Sequence, residues 1–532
     1  MNLAALLTPS LIGDVAILAR RGVIGPGLPH RQVQQVSSLL LYGTGIFGEL
    51  RQGARRSPRR LAVIDAPAGQ LTYAELLDLA ERTSEALRAR GVRRGDRVGL
   101  LAHNHGAAIA SMAAGDALGA DLVLLNTGLT TSQLALVAEE QSLSTIVYDD
   151  EFSSVVAELA GPTLIAQTDL TEAAAHTERP SHIPPVRQGR TIVLTSGTTG
   201  SPKGAVRRTP PGVGPLATIL DRIPFNAGER ILISAPMFHT WGYAALQLAL
   251  ALRASIVRQR TFDAVEAQRA LEKYRVHAHV AVPVMLQRML ELPSDPGARE
   301  NRRLRITAVS GSALPGGLAT AYMNEYGDVL YNLYGSTEAS WVSIATPADL
   351  RRAPPCSGTP PRGPGVKVLD PDGRPVRDGA VGRIFVRNNL VFDGYTSGQN
   401  KEFVEDLIST GDLGRMREGL LFVEGREDDM VISGGENVYP DEVSAVLHRM
   451  PGVREAAVVG VADERFGQRL AAFIVAHHDS ELSEPDVIAH CRKHVSRHAV
   501  PREVHFVEEL PRNATGKVLL RQLERGAGQT RR

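Results

Sequence analysis

Lysine is almost missing from this chain. Only six of the 59 basic residues are lysine, at positions 203, 273, 367, 401, 493 and 517, and the other 53 are arginine. A lysine inside a glycine-rich motif is therefore conspicuous. Cysteine is as scarce: Cys356 and Cys491 stand far apart, which excludes a disulfide framework and a cysteine metal motif and fits a reducing cytoplasm. An apolar run of 18 or more residues is absent, so a membrane-spanning helix is not expected. Excess charge is absent too. The 59 basic residues face 58 acidic ones, and a net charge of +1 argues against nucleic acid or an anionic membrane as the main partner. The N-terminal 25 residues are moderately apolar, but Arg20-Arg21 follows the apolar part instead of preceding it, the wrong order for a signal peptide. A helix docked on the protein's own surface is expected there. A weak peripheral membrane contact is compatible with it.

What is present reads as a multi-unit globular enzyme. The 532 residues are 43% hydrophobic and 22% charged, room for roughly three or four structural units. Residues 1–55 read as an N-terminal helical extension. Alternating strands and helices follow. Leu61 to Asp65 is a short apolar strand, and Thr72 with Glu75 makes a capping box for a helix that stops near Gly91. Further strands are expected at 97–101, 121–125, 191–195, 230–235, 278–282 and 305–310. The alternation argues for α/β architecture with largely parallel sheets. Segments 366–370 and 381–387, separated by Asp370-Pro371-Asp372-Gly373, read as a β unit rich in hairpins. Past a boundary at Arg426 to Asp429, helix 440–449, strands 455–461 and 470–476, helix 484–496 and strand 503–507 make a small α+β domain. The organisation expected is residues 56–427 as a large domain of layered α/β sheets plus a β unit, and residues 428–532 as a small mobile domain. Gly526 to Arg532 reads as a frayed tail.

The strongest chemical signal is Thr195-Ser196-Gly197-Thr198-Thr199-Gly200-Ser201-Pro202-Lys203-Gly204, directly after the apolar run Ile192-Val193-Leu194. Glycines free several N–H groups to point at one anion, and five hydroxyls and a lysine add donors. The pattern suits a polyphosphate, yet it is not a Walker loop, because Pro202 precedes the lysine and Gly204 follows it. Glu338, beside hydroxyls and a glycine, suits a hard cation such as Mg²⁺. Lys517 lies on a polar loop where a mobile ammonium could meet charge moving onto a leaving group.

These segments resemble the adenylate-forming superfamily, which includes acyl-CoA synthetases, luciferases and nonribosomal-peptide adenylation domains. The resemblance runs from about residue 55 to 522 and rests on six motifs in order. After the phosphate loop come Tyr334-Gly335-Ser336-Thr337-Glu338, Ser409-Thr410-Gly411-Asp412, and Gly425-Arg426-Glu427-Asp428-Asp429. Ser433-Gly434-Gly435-Glu436-Asn437-Val438-Tyr439-Pro440 and Pro511-Arg512-Asn513-Ala514-Thr515-Gly516-Lys517 complete the set. The resemblance implies that Thr195, Ser196, Gly197, Thr198, Thr199, Gly200 and Lys203 wrap the ATP phosphates, with Thr195 and Glu338 toward Mg²⁺. Thr337 would contact the α-phosphate, and Tyr334 and Gly335 the adenine. Gly311, Ser312 and Ala313 would flank the base, and Asp412 and Arg426 the ribose. His239, Trp241 and Gly242 would line the acyl pocket, with His239 also counted among the catalytic residues. Asp428 would be the hinge, and Ser433, Gly434, Gly435 and Glu436 the turn that meets CoA. Lys517 would serve the first half-reaction.

The implied chemistry converts a carboxylic acid and ATP to acyl-AMP and pyrophosphate, then transfers the acyl group to CoA. Amino-acid-activating relatives carry an aspartate near position 239, and its absence implies a substrate without an α-amino group. Apolar residues around Val280 to Leu290 suggest a medium- or long-chain fatty acid. Alternatives are a fatty acyl-AMP ligase that delivers to a carrier protein and a non-catalytic acyl-adenylate- or nucleotide-binding protein. A homodimer is compatible with the sequence.

Overall fold

The computed structural model describes residues 9–529 except 26, 66–68, 181–182, 184–187, 196–202, 208–211, 294–302, 364, 389, 434–435, 464–466, 479 and 514–515. Two sheets dominate its larger part. The first has eight strands in the spatial order Ser340–Ala345, Leu330–Ser336, Ile306–Val309, Ala278–Ala281, Arg230–Ile233, Ser255–Arg258, Leu61–Asp65 and Gly69–Thr72. The inner six run parallel and the two edge strands antiparallel. The second has six strands, Thr163–Ala166, Thr145–Tyr148, Arg97–Leu101, Asp121–Leu124, Thr191–Thr195 and Lys203–Arg207, with only the last antiparallel. Parallel strands buried on both faces need continuous apolar sequence, which Ile231 to Ile233 and Leu122 to Leu125 supply.

Helices fill the space between and around these sheets. Gly106–Leu118 is built mainly of alanine and glycine and is buried along nearly its whole length, so small residues set how closely its neighbours approach. Thr72 caps the helix Tyr73–Ala89: its Oγ1 accepts from the Glu75 N–H at 3.2 Å, and the Glu75 carboxylate accepts from the Thr72 N–H at 2.8 Å. The N-terminal segment forms three helices, Pro9–Arg20, Pro29–Tyr42 and Ile46–Arg56. The third belongs to the main core, with Ile46, Phe47 and Leu50 buried.

Downstream, Gly365–Leu369, Gly382–Arg387, Phe403–Val404, Leu407–Arg417 and Leu420–Arg426 form an antiparallel five-stranded sheet, the expected β unit. A separate five-stranded sheet, the small sheet, follows. In its long hairpin Val453–Asp463 and Gly467–Ala476, the second strand pairs with Val431–Ser433 and Glu503–Phe506, and Glu436–Val438 adds to the edge of Val431–Ser433. Alternate residues of the hairpin point to opposite faces. Val458, Leu470, Ala472 and Ile474 meet the helices Pro440–Leu447 and Glu484–His494, whereas Ala457, Val459, Ala471 and Phe473 share a cluster with Leu523 and Ala527. This corrects the frayed-tail expectation. Leu523 and Ala527, four residues apart, anchor the helix Leu520–Gln529 on the small sheet, so ordered structure continues through residue 529.

Candidate functional site

In open parallel sheets ligands bind beyond the carboxyl ends of the strands. Both large sheets send chemistry-bearing segments to those ends. Residues 196–202 follow Thr195, Ser234 to His239 follow Ile233, and Ser310 to Ala313 follow Val309. Gly311 has φ 98°, a left-handed conformation that suits glycine, and a Cβ there would stand 3.5 Å from Val282. Ser196, Gly197, Thr198, Thr199 and Gly200 lie outside the described residues. Their flanks are described: the Thr195 hydroxyl donates to the Lys203 carbonyl at 3.2 Å across the strand pair. The Lys203 ammonium donates to Gln399 Oε1 at 3.1 Å and lies 5.6 Å from the centroid of the Tyr395 ring.

Two carboxylates are set into this crevice by tyrosine hydroxyls. Tyr334 donates to Asp412 Oδ2 at 2.5 Å, and Arg426 Nη1 donates to Asp412 Oδ1 at 3.0 Å. Asp412 is buried on Leu407–Arg417, opposite Arg426 in the antiparallel register, so the β unit builds this pair directly. Burial and the Asp412 charge hold the Tyr334 phenol well above its usual pKa. Burial pulls Arg426 down, but Asp412, Asp429 and Asp428 outweigh it and keep the guanidinium charged. Gly411, at φ 77°, turns the chain just before the aspartate. Tyr395 donates to Glu338 Oε1 at 2.5 Å, and burial together with that carboxylate raises the phenol's pKa. Gly335 is tightly placed: a Cβ there would collide with the Ser340 carbonyl. Arg207 is half-buried nearby, its Nη2 donating to Ser340 Oγ at 3.0 Å; desolvation lowers its pKa and the Glu338 charge opposes that.

His239 occupies the N-cap position of the helix Thr240–Ala251 without a side-chain cap bond, and its ring lies 5.9 Å from that of Phe238. The Thr240 and Thr337 hydroxyls meet at 2.7 Å, tying this helix start to the Glu338 hairpin. Burial, aided by the Lys517 charge, lowers the His239 pKa to about 4, so its ring is neutral at physiological pH. Trp241 is buried in the core and donates Nε1–H to the Ala281 carbonyl at 3.1 Å. Gly242 packs against the Pro236 carbonyl with no room for a side chain.

The small sheet's side of the crevice is a loop. Lys517 is exposed, and its ammonium is close enough to act electrostatically on both His239 and Asp441. Its backbone is fixed by Asn513, whose N–H donates to the Lys517 carbonyl and whose Oδ1 accepts the Lys517 N–H, both at 2.9 Å. Gly516, φ 78°, touches Val284 on the helix Pro283–Leu290 so closely that a Cβ would collide. Gln287 donates to the Arg454 carbonyl at 3.1 Å, and Arg454 pairs with Glu291 at 3.3 Å, so the same helix also holds the small sheet. Asp441 opens the helix Pro440–Leu447 beside Gly425. Burial first, then Asp429 and Asp412, raises its pKa to about 6 against the pull of Lys517. Asp428 lies in the link between Leu420–Arg426 and Val431–Ser433. Ser433 and Glu436 end two paired strands, while Gly434 and Gly435 lie outside the described residues.

The crevice thus gathers Thr195, Lys203, His239, Tyr334, Thr337, Glu338, Asp412, Arg426 and Lys517. Sequence reasoning missed Tyr395, Gln399, Arg207 and Asp441. Only Asp441 carried a usable signal, directly after the Val438-Tyr439-Pro440 motif. Among the described residues no group of three or more His, Cys, Asp or Glu could hold a metal ion. Glu338 offers one carboxylate with Oε2 uncommitted, a donor set that fits Mg²⁺ bound mainly through nucleotide phosphates and water.

A layered α/β body, a crevice with paired carboxylates and a lysine brought in by a second, smaller domain define a two-domain nucleotide-dependent ligase fold. The chain belongs to the AMP-binding enzyme family: that family's model matches residues 50–396, and the model for its C-terminal domain matches residues 442–517. The feruloyl-CoA synthase of Amycolatopsis sp is 32% identical over 483 residues, covering 89% of this chain and 97% of the relative. The long-chain-fatty-acid–CoA ligase FadD13 of Mycobacterium tuberculosis is 29% identical, covering 88% and 96%. ATP-bound MatB from Rhodopseudomonas palustris superposes with a TM-score of 0.83 at 27% identity, covering 92% of this chain and all of that one. By membership the chain is an adenylate-forming enzyme, and its relatives place it among the acid–CoA ligases.

Proposed function

We propose that this enzyme activates an apolar carboxylic acid lacking an α-amino group, with a medium- or long-chain fatty acid as its substrate. The observation that carries the catalytic part is the approach of Lys517, from the small domain, to the neutral His239 ring. In the first half-reaction the substrate carboxylate attacks the α-phosphorus and pyrophosphate leaves. Lys517 stabilises the negative charge that develops between the carboxylate and the phosphates. Lys203 and the loop behind Thr195 take the departing phosphates. Asp412 accepts from the ribose hydroxyls while Arg426 and Tyr334 hold it in place. Thr337 donates to the α-phosphate, and Tyr334 and Gly335 face the adenine across from Gly311, Ser312 and Ala313. Glu338, with Thr195 beside it, would hold Mg²⁺, which when bound would supply charge neutralisation on the phosphates.

The second half-reaction requires Lys517 to withdraw and a thiol to reach the carbonyl. The link at Asp428 serves as hinge, residues 428–532 move as one domain, and Ser433 to Glu436 come in to meet the pantetheine arm. Phe238, His239, Trp241, Gly242 and Val282 make the acyl side apolar and uncharged, which supports an apolar acid. The 32% identity to a feruloyl-CoA synthase favours an aromatic acid as the second reading. Eight of the thirteen exposed large apolar side chains among the described residues fall between Ile12 and Leu41, which supports a peripheral membrane contact through the first two helices.

Pyrophosphate release across a panel of fatty and aromatic acids, with CoA, with acyl-carrier protein and with neither, tests these readings. Turnover to an acyl-CoA with fatty acids is expected. Turnover only with aromatic acids would replace the substrate, transfer only to carrier protein would replace the acceptor, and no release with any acid would refute the reaction.

A further inference from the structure

The opposite ends of the same parallel strands carry a second feature. Leu61, Arg230, Ser255, Ala278 and Ile306 begin five neighbouring strands, so the residues around them gather at the edge of the sheet remote from the catalytic crevice. A cavity of about 860 Å³ opens there. Seven arginines line it, among them Arg31, Arg59, Arg60, Arg230, Arg275 and Arg303, and among the described residues no carboxylate does. Among the described residues none of these six is in an ion pair. The adjacent acid, Glu229, is already bonded to Arg305 at 2.8 Å and to Asn226 at 3.0 Å. Arg60 and Arg230 are aimed by backbone carbonyls instead, donating to Gly228 and Tyr274 at 2.7 Å each, which orients the guanidiniums without neutralising them. Burial and the charges of Arg305, Arg303 and Arg230 outweigh Glu229 and hold the His277 ring below its usual pKa.

Guanidiniums gathered in one basin repel one another, and with no described carboxylate among the lining residues an anion would relieve that repulsion. Guanidinium forks match phosphate oxygens two at a time. We propose that this basin binds a chain of closely spaced phosphates carried by a soluble small molecule, at a site separate from the ATP crevice. The volume suits a ligand of nucleotide size. The helix Pro29–Tyr42 settles the choice between a soluble ligand and a lipid headgroup. Arg31 shares its inward face with the buried Ser38 and Tyr42, whereas the exposed Val33, Val36 and Leu40 lie on the outward face, so a bilayer resting on that stripe does not reach the basin. A bound phosphate chain would bridge the N-terminal helices and the sheet, because Arg31 and Arg56 come from the former and Arg60 and Arg230 lead into the latter.

The test is calorimetric titration of the full chain with sodium tripolyphosphate while a non-reactive acyl-adenylate analogue saturates the crevice. The expected result is one additional saturable site that weakens with added salt. The double variant Arg59→Glu/Arg303→Glu should bind tripolyphosphate at least ~tenfold more weakly, with unchanged circular dichroism and unchanged adenylation rate. Absence of the additional site, equal affinity in the variant, or binding to phosphatidylglycerol vesicles without binding to tripolyphosphate would overturn the proposal. Failure of the analogue to bind would count against the proposed reaction alone, since the comparison of wild type and variant stands without it.

Discussion

The two walls of the catalytic crevice are built on opposite plans. On the large domain's wall each carboxylate is already engaged: Asp412 by Tyr334 and Arg426, Glu338 by Tyr395. The small domain offers a single ammonium, Lys517, exposed on a loop whose backbone alone is fixed by Asn513. In the proposed reaction this wall holds the same nucleotide in both half-reactions and gains from rigid pairing. A group needed in only one half-reaction has to be removable, so it belongs on the part that moves. The largest effect that separates the two plans comes from Lys517→Ala. Loss of one such donor costs on the order of 3 kcal/mol in the transition state. Adenylation measured by pyrophosphate release should fall about a hundredfold or more, whereas CoA acylation from pre-formed acyl-AMP should change little. An equal loss in both steps would mean that the lysine is not delivered for one of them.

A defect in the rigid wall should behave differently. Asp412→Asn removes the negative partner of Arg426, a group kept charged chiefly by its neighbouring aspartates. Truncating one member of a partly buried charge pair typically costs about 2 kcal/mol, mostly from the partner left behind. The expectation is a rise of roughly tenfold or more in the KM for ATP, and a lower unfolding midpoint in urea. Both half-reactions should suffer, since both hold AMP. A selective loss of the first step would contradict the division drawn above.

Lys203 and Lys517 drew attention in the sequence because lysine is so rare here that two of its six occurrences stand out in glycine-rich segments. The parallel sheets were legible for a different reason: strands buried on both faces must be apolar throughout, so 191–195 and 278–282 lay within a residue of Thr191–Thr195 and Ala278–Ala281. What failed to show was pairing across the fold. Nothing local marks Tyr395 as the donor to Glu338, 57 residues away, or Arg207 as a half-buried cation beside it. The arginine basin escaped for the same reason, since its members are scattered from Arg31 to Arg303 and meet only where strands begin. The C-terminal helix was misjudged because a short, charged, glycine-containing tail reads as frayed unless the apolar patch on the back of the small sheet is known.

Asp441 sits where the two walls meet and sharpens the comparison through pH. Its carboxyl has a pKa of about 6 in the folded chain, against an ordinary value of 3.8, through desolvation by the surrounding protein and the charges of Asp429 and Asp412, although the residue keeps an exposed surface. A raised folded-state pKa means that the folded form binds the proton more tightly. The resulting stability is fully present below pH 3.8 and is lost as pH rises through about 6. Asp441→Asn carries no such charge, so its stability relative to wild type should grow between pH 4 and 7 and level off above that. Asp441 keeps an exposed surface and water screens its charge, so the difference expected at pH 8 by chemical denaturation is small, below about 1 kcal/mol. A flat difference across that range would mean that Asp429 and Asp412 do not act on Asp441.

The smallest effect concerns how the moving part seats. Gly516 precedes Lys517, adopts φ 78° and lies against Val284 with no space for a methyl group. Gly516→Ala leaves the ammonium and its charge untouched and changes only two things. The backbone loses about 1 kcal/mol, because an L-residue with a Cβ resists the left-handed region. The loop must also stand off from the helix Pro283–Leu290, which moves Lys517 away from His239. In the proposed turn of the small domain for CoA transfer the collision disappears, while the backbone cost stays with a loop that this step does not use. Adenylation should therefore slow about fivefold to tenfold, while acylation of CoA from acyl-AMP and the KM for ATP stay near wild type. Val284→Ala in the same chain restores space without relieving the backbone, so it should recover part of the lost rate. Full recovery would assign the defect to the collision alone, and no recovery would assign it to the backbone turn, which separates seating from folding of the loop.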